Sequence, residues 1–137
     1  MKGFALFVVL CPAALAGCAT NTGDYLYFPA LAQQVLAGDE QAYGELLTKA
    51  DTTPPGEQLE ELAELSSRFV RVAPAAFLRK QRGALTCFGV SFMGPDYTDN
   101  PGAVARERGL RRKALESVND PDLASVQQRC LIALAGS

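Results

Sequence analysis

The chain has 137 residues, enough for one domain, and its 48% hydrophobic and 20% charged residues exclude a disordered, collagen-like or coiled-coil protein. Its net charge of −2 gives no indication of nonspecific nucleic-acid binding, so no nucleic-acid partner is expected. The absence of histidine excludes Ser/His/Asp and Cys/His catalytic sets and zinc sites built on histidine, and we expect neither a metal nor a cofactor.

The N-terminus has the pattern of a short export signal. Lys2 precedes an apolar run from Phe4 to Leu10, which is too short to span a membrane, since that takes roughly 20 helical residues. The stretch Leu15-Ala16-Gly17-Cys18 follows, and it resembles the lipobox of bacterial lipoproteins. The resemblance implies that residues 1–17 are removed as a signal peptide and that Cys18 becomes the lipidated N-terminus of the mature protein.

The residue after Cys18 bears on where such a lipoprotein resides. Ala19 stands where an aspartate would resemble the retention signal of the inner membrane. The resemblance therefore implies an anchor in the outer membrane, with the protein facing the periplasm. An ordinary secretory signal cleaved nearby is the alternative. We expect residues 18–24 to form a lipidated tether and residues 25–137 to form a single helical domain.

Two cysteines remain within the predicted domain. Cys11 lies in the signal and Cys18 would carry lipid, which leaves Cys87 and Cys130. In an oxidising compartment this pair predicts a disulfide, whose loop of about 43 residues stabilises a fold by roughly 4 kcal/mol. Two separate buried thiols are the alternative. A catalytic Cys87 lacks a histidine to activate it.

Helical periodicity runs through most of the mature chain. It predicts helices from Phe28 to a cap at Gly38, from a cap at Asp39 to Ala50, from Pro54 or Glu57 to Arg71, from Ala75 to Arg82, from Pro101 to Val118, and from a cap at Asp120 to Leu134. Only residues 86–93 have the composition of a strand, and one strand cannot form a sheet. We therefore expect an all-α fold of about six short helices packed as antiparallel pairs. An irregular bundle and a hairpin stack of the HEAT or tetratricopeptide type both fit this pattern.

The third predicted helix is amphipathic. Its apolar side is expected to face the core: Leu59, Leu62, Ala63, Leu65, Phe69 and Val70. Its opposite side is expected to be solvated: Glu60, Glu61, Glu64, Arg68 and Arg71. Glu64 and Arg68 stand in the favourable i, i+4 order for an ion pair.

Residues 83–102 form a long connection without helical periodicity, and such connections in compact domains are usually either functional or wrongly assigned as loops. Asp96, Tyr97 and Asp99 would offer acceptors and an amphipathic ring to a ligand or partner, on a segment pinned by a disulfide at Cys87. A turn-rich connector with an apolar anchor is the alternative. The segment lacks the spacing of a calcium-binding EF-hand, and a catalytic pair of Asp96 and Asp99 is no better indicated than any other two acids.

The fifth predicted helix places Glu107 and Arg111 in an i, i+4 relation, in the same sector as Leu110, Ala114 and Val118. Charged residues at the edge of a core should be matched, which predicts an internal salt bridge that fixes helix packing. The functional alternative is an Arg111 that reaches Asp96, Asp99 or an acidic partner.

Three aromatic residues follow the predicted tether: Tyr25, Tyr27 and Phe28. They are expected to close the start of the core. A patch that faces the membrane or a partner is the alternative.

The leading function hypothesis is a non-enzymatic, lipid-anchored accessory protein that binds another protein of the periplasm or outer membrane. An inhibitor or immunity protein that plugs the active site of a toxic periplasmic enzyme is a sharper variant. The alternatives from other classes are a carrier of a small ligand and a cell-wall enzyme that uses carboxylates.

Overall fold

Six α-helices form the body of the protein in a computed structural model that describes residues 25–136. They are α1 (Pro29–Leu36), α2 (Glu40–Thr52), α3 (Glu57–Val72), α4 (Pro74–Gln81), α5 (Pro101–Glu116) and α6 (Ala124–Ala135). Single 3-10 turns cover Pro95–Tyr97 and Pro121–Leu123, and the described part of the chain contains no strand. The predicted all-α fold of about six helices is confirmed. The predictions for Cys18 and the rest of residues 1–24 lie outside the described residues.

Capping side chains set several helix boundaries. Asp39 Oδ1 accepts the N–H of Ala42 at 2.9 Å, as predicted for the start of α2. Asn100 Oδ1 accepts the N–H of Ala103 at 3.1 Å and caps α5 in the same way. Gly38 has a φ of +88°, which suits glycine, and it ends α1 as predicted.

The boundary between α5 and α6 differs from the prediction. Asp120 does cap a helix, but its Oδ1 accepts the N–H of Asp122 and caps the 3-10 turn. The α-helix begins only at Ala124, while α5 ends at Glu116, two residues before the predicted Val118. The short connection lets Gln127 Nε2 donate to Leu115 O at 2.6 Å, so the end of α5 lies beside the start of α6.

Helix α3 lies at the centre of the bundle, where it contacts α1, α2, α4 and α5. Its predicted apolar face is buried, with Leu62, Leu65 and Phe69 fully inaccessible to solvent. Tyr43, near the start of α2, stacks on Phe69 near the end of α3 with ring centroids 4.2 Å apart, so these helices are antiparallel. Packing around one central helix is that of an irregular bundle, because hairpins in a stack contact only their neighbours.

The predicted disulfide between Cys87 and Cys130 is confirmed. The two Cα atoms lie 5.2 Å apart, within the normal range for a disulfide, and both residues are buried. The bond joins the long connection after α4 to the middle of α6. None of the helices within residues 25–136 has the length and apolar character needed to cross a membrane.

Candidate functional site

Buried polar side chains fix the connector, which we define as residues 82–100 between α4 and α5. The Gln81 amide exchanges two hydrogen bonds with the backbone of Phe88, at 3.1 and 3.3 Å. Gln81 Nε2 also donates to the Tyr43 hydroxyl at 2.8 Å, Tyr43 and Ser66 are hydrogen-bonded at 2.8 Å, and the Ser66 hydroxyl donates to Phe88 O at 2.7 Å. Because Tyr43, Ser66 and Gln81 are fully buried, this network satisfies polar groups that water does not reach.

The network influences the ionisation of Tyr43. Burial raises the pKa of the Tyr43 phenol well above its ordinary value, and its hydrogen bonds with Ser66 and Gln81 oppose the shift only in part. Tyr43 is therefore a neutral hydroxyl at physiological pH, able to accept from Gln81 and donate to Ser66.

Gly89 lets the connector touch α3. Its φ is +77°, and a Cβ built on it would lie 2.5 Å from Ser66 Cβ and 2.8 Å from Ala63 O. No side chain fits at this contact without displacement of the connector or of α3, so glycine is required there.

Arg111 holds the next part of the connector. Its Nη1 donates to the carbonyl oxygens of Val90 at 3.0 Å and Phe92 at 2.6 Å, and its Nε donates to Glu107 Oε1 at 3.0 Å. The other oxygen of Glu107 accepts from Arg71 Nη1 at 2.9 Å. A buried guanidinium is thus matched by one carboxylate and two backbone carbonyls.

These contacts decide between the two predicted roles of Glu107 and Arg111. The pair forms an internal salt bridge, and Arg111 is only 2% exposed, so it meets neither Asp96, Asp99 nor an external partner. Leu110, which was expected to share their buried sector, is 45% exposed and that expectation is wrong. The buried side of α5 is centred on the ion pair and Leu115, about 100° round the helix from Leu110.

The fixed connector and α3 enclose a cleft of about 200 Å³. Four connector residues and three α3 residues line it: Gly94, Pro95, Asp96 and Tyr97, with Glu64, Ser67 and Arg68. The structure thus brings the predicted Asp96 and Tyr97 together at one site. Asp99 does not line this cleft; it stands one residue before the cap of α5, with a φ of +60°.

The α3 side of the cleft carries paired charges. Arg68 Nη2 lies 2.9 Å from Glu64 Oε1, and the guanidinium stands over the Tyr25 ring, 5.6 Å from its centroid. The Tyr25 hydroxyl donates to Glu64 Oε1 at 3.4 Å. Burial raises the pKa of Tyr25, with Arg68 opposing the shift and Glu64 adding to it, so Tyr25 remains a donor at neutral pH.

The connector side of the cleft carries unpaired groups. Within residues 25–136, neither the Asp96 carboxylate nor the Tyr97 hydroxyl makes a hydrogen bond, and Asp96 is exposed. These groups are available to an incoming donor, while Glu64 is already neutralised by Arg68. The described residues contain no group of three or more His, Cys, Asp or Glu that could hold a metal ion.

A second, wider cleft of about 570 Å³ lies where the α1–α2 turn meets the α3–α4 junction and the end of α5. Its charged residues are already engaged. Arg79 donates to both oxygens of Glu40, at 3.0 and 2.7 Å, and this contact lowers the pKa of the Glu40 carboxyl. Asp120 is used as a cap. The wider cleft therefore presents fewer unsatisfied groups than the one at Asp96 and Tyr97.

The charged side of α3 holds the start of the domain, which corrects the expectation that it is simply solvated. Glu61 accepts the backbone N–H groups of Leu26 at 3.0 Å, Tyr27 at 3.2 Å and Phe28 at 2.8 Å. The Tyr27 hydroxyl donates to Glu57. These amides precede the first turn of α1 and have no partner within that helix, so a carboxylate from α3 satisfies them.

Sequence patterns gave no signal for Ser66, Gln81 or Gly89, because these residue types are common and nothing beside them in the chain marks them as buried contacts. The signal for Glu61 was equally weak, since its partners lie more than thirty positions earlier in the chain. Comparison of the chain with protein-family models, curated proteins and solved structures found no match. The function proposed below therefore depends on the N-terminal sequence pattern and on the geometry of the site.

Proposed function

We propose that this protein is a lipoprotein of the outer membrane that faces the periplasm and binds another protein there without catalysing a reaction. The stretch Leu15-Ala16-Gly17-Cys18 supports a lipid anchor on Cys18, and the disulfide between Cys87 and Cys130 supports export, because such bonds persist in oxidising compartments. The membrane, reached through the lipid, and a periplasmic or outer-membrane protein are the partners in this proposal.

One observation carries the binding role: unpaired side chains at Asp96 and Tyr97 stand in a 3-10 turn, directly after the backbone that buried contacts fix between Cys87 and Phe92. The disulfide at Cys87, the carbonyl contacts of Arg111 and the Gln81 network order this backbone in advance. A partner that binds there loses little free energy in ordering the connector, which favours affinity. Tyrosine is also among the residues enriched at protein interfaces.

The size and charge of the cleft indicate what it receives. Its volume of about 200 Å³ is below the ~300–1,000 Å³ typical of small-molecule pockets, so a single side chain of a partner fits better than a whole ligand. Asp96 supplies an unpaired negative charge and Tyr97 an aromatic ring. A lysine or arginine of the partner would satisfy both groups.

Site-specific photo-cross-linking in the producing bacterium tests this proposal. A photoreactive phenylalanine analogue at position 97 is expected to give one discrete protein adduct, which Cys18→Ala abolishes by releasing the domain from the membrane. The same analogue at position 110, on exposed Leu110 of α5, is the matched control and is expected to give no such adduct. Absence of an adduct at position 97, or the same adducts at both positions, would contradict the proposal.

The charge of Asp96 is tested in the same experiment. Asp96→Asn keeps the shape of the side chain and is expected to reduce the adduct about tenfold, because a charge pair with the partner is lost. Asp51→Asn, at another exposed aspartate near the end of α2, should leave the adduct unchanged. A toxic enzyme as the captured protein would give the binding an inhibitory role.

A further inference from the structure

Apolar side chains are exposed where the described chain begins. Leu26 is 79% exposed and Tyr27 is 41% exposed, although Tyr25 beside them is buried. Tyr27 shares a shallow cleft with the exposed residues Pro54 and Pro55 of the α2–α3 connection. We call Leu26, Tyr27, Pro54 and Pro55 the tether-proximal face, because residues 18–24 lead directly into it.

This face has a fixed backbone. Glu61 accepts the N–H groups of Leu26, Tyr27 and Phe28, and Glu57 accepts the Tyr27 hydroxyl. The segment is therefore held against α3, and the exposure of Leu26 is a property of the folded domain. Of the three aromatic residues expected to close the core, Tyr25 does so and Phe28 packs at the core's edge, whereas Tyr27 remains exposed.

The length of chain outside the described residues limits how far this face can be from a lipid on Cys18. Seven residues, 18–24, separate the anchor from Tyr25. A fully extended chain of that length spans at most about 25 Å, and a flexible one averages about 15 Å. The inference rests on the proposed anchor: with it, the tether-proximal face is always within reach of the membrane surface.

We propose that the tether-proximal face docks on the lipid surface, with Leu26 and Tyr27 entering the interfacial layer. Leucine and tyrosine suit this layer, because the apolar body of each side chain leaves water while the tyrosine hydroxyl stays at the headgroup level. Glu57 and Glu61 border the face, so its charge does not favour anionic lipid and the contact is apolar in origin. An apolar contact of this small area is weak, so it forms only because the tether keeps the effective concentration of the face near the membrane high.

Docking would set the height of the Asp96 cleft above the membrane. Glu57 lies at the tether-proximal end of α3 and Glu64 lines the cleft, and seven helical residues span about 10 Å. A partner would then present its basic side chain close to the membrane surface.

Tryptophan fluorescence tests the docking, since the chain has no tryptophan of its own. The protein from Cys18 to Ser137 is coupled through the Cys18 thiol to a maleimide lipid in phosphatidylcholine vesicles. Cys87 and Cys130 are bonded to each other, so Cys18 is the thiol that reacts. With Leu26→Trp, a brominated phosphatidylcholine in the vesicles is expected to quench the fluorescence about twofold, because bromine quenches only on close approach.

The matched control is Ile132→Trp, at a position 63% exposed on α6, a helix whose main neighbours are α4 and α5. We expect little quenching there, and equal quenching at both positions would overturn the proposal. A second variant, Tyr27→Trp, places the tryptophan at the other apolar position of the tether-proximal face. Adding Leu26→Asp to this variant is expected to abolish the quenching of its tryptophan fluorescence. Quenching that persists in this double variant, or quenching that requires anionic lipid, would also contradict an apolar contact by Leu26.

Attaching the lipid to Cys18 chemically makes the docking test independent of the proposed lipidation in the cell. Because the lipid is attached in vitro, the quenching does not depend on whether the cell lipidates Cys18. Loss of docking with a lipidated natural protein would overturn the inference alone, while docking without natural lipidation would overturn the proposed anchor alone.

Discussion

At the scale of single residues, Gly89 has the least space for a side chain among the glycines within residues 25–136. Gly89→Ala would place a Cβ within 2.5 Å of Ser66 Cβ at a φ of +77°. We expect it to lower the free energy of unfolding by about 2 kcal/mol or more, from backbone strain and overpacking. Urea denaturation measures this loss. Gly83→Ala is the control, because its Cβ would meet nothing within 4 Å, and a similar loss in both variants would contradict the assigned contact.

The buried phenol of Tyr43 is expected to affect the stability of the fold at alkaline pH. Burial raises its pKa in the folded state above the unfolded value of about 10. The folded chain thus holds this proton more tightly, so the stabilising contribution is complete below about pH 10 and is lost as the pH rises further. We expect part of the tyrosinate absorbance to appear at higher pH in the folded chain than in urea. Ionisation of all four tyrosines near pH 10 in a chain that remains folded would be inconsistent with a buried Tyr43.

At the scale of elements, Arg111 joins α5 to the connector and, through Glu107, to α3. Arg111→Met would leave the carbonyls of Val90 and Phe92 without their donor and Glu107 with Arg71 alone. We expect a loss of about 3 kcal/mol in the free energy of unfolding. Arg112→Met, at the next and exposed position, should change stability by less than about 0.5 kcal/mol. Equal midpoints for the two variants in urea would refute the structural role of Arg111.

The disulfide joins the connector to α6, and its removal is expected to loosen the connector. Cys87→Ala with Cys130→Ala opens a loop with a sequence separation of 43 residues and should cost up to about 4 kcal/mol. The Gln81 and Arg111 contacts remain, so we expect local opening of the connector before global unfolding. Hydrogen exchange at the Phe88 and Val90 amides measures this opening. Unchanged exchange there would show that the disulfide does not fix the connector.

The helices, caps and disulfide show which features of the fold can be predicted from the sequence. Helix positions were predictable because an apolar repeat near 3.6 residues directly reflects a buried face, as in α3. The cap at Asp39 and the pairing of Cys87 with Cys130 were predictable because each depends on a local or compositional rule. The start of α6 at Ala124 was not, since a 3-10 turn and a first α-helical turn have the same capping signal.

The path of the connector and the use of the charged side of α3 were not predictable, because both depend on contacts between residues distant in sequence. Ser66 meets Phe88 and Glu61 meets Phe28, and nothing local to either residue specifies its partner. Leu110 illustrates the same limit. An apolar residue near a charged pair suggested a core position, but the buried position on α5 belongs to Arg111.

At the scale of the whole molecule, the two proposed contact surfaces share α3. The tether-proximal face lies against its start, and the Asp96 cleft lies against its middle, with Tyr25 touching Glu64 and Arg68 between them. A rigid central helix would therefore fix the geometry between the membrane and a bound partner. The roles proposed for both surfaces assume a chain that is attached to a membrane.

Mass spectrometry of the N-terminal peptide, from protein purified out of bacterial membranes, tests that attachment most directly. We predict a mature chain that begins at Cys18 and carries acyl groups on that residue, while Cys18→Ala yields a chain without lipid in the same analysis. A mature N-terminus at another position, or an unmodified Cys18 in protein recovered from membranes, would contradict the lipid-anchored function.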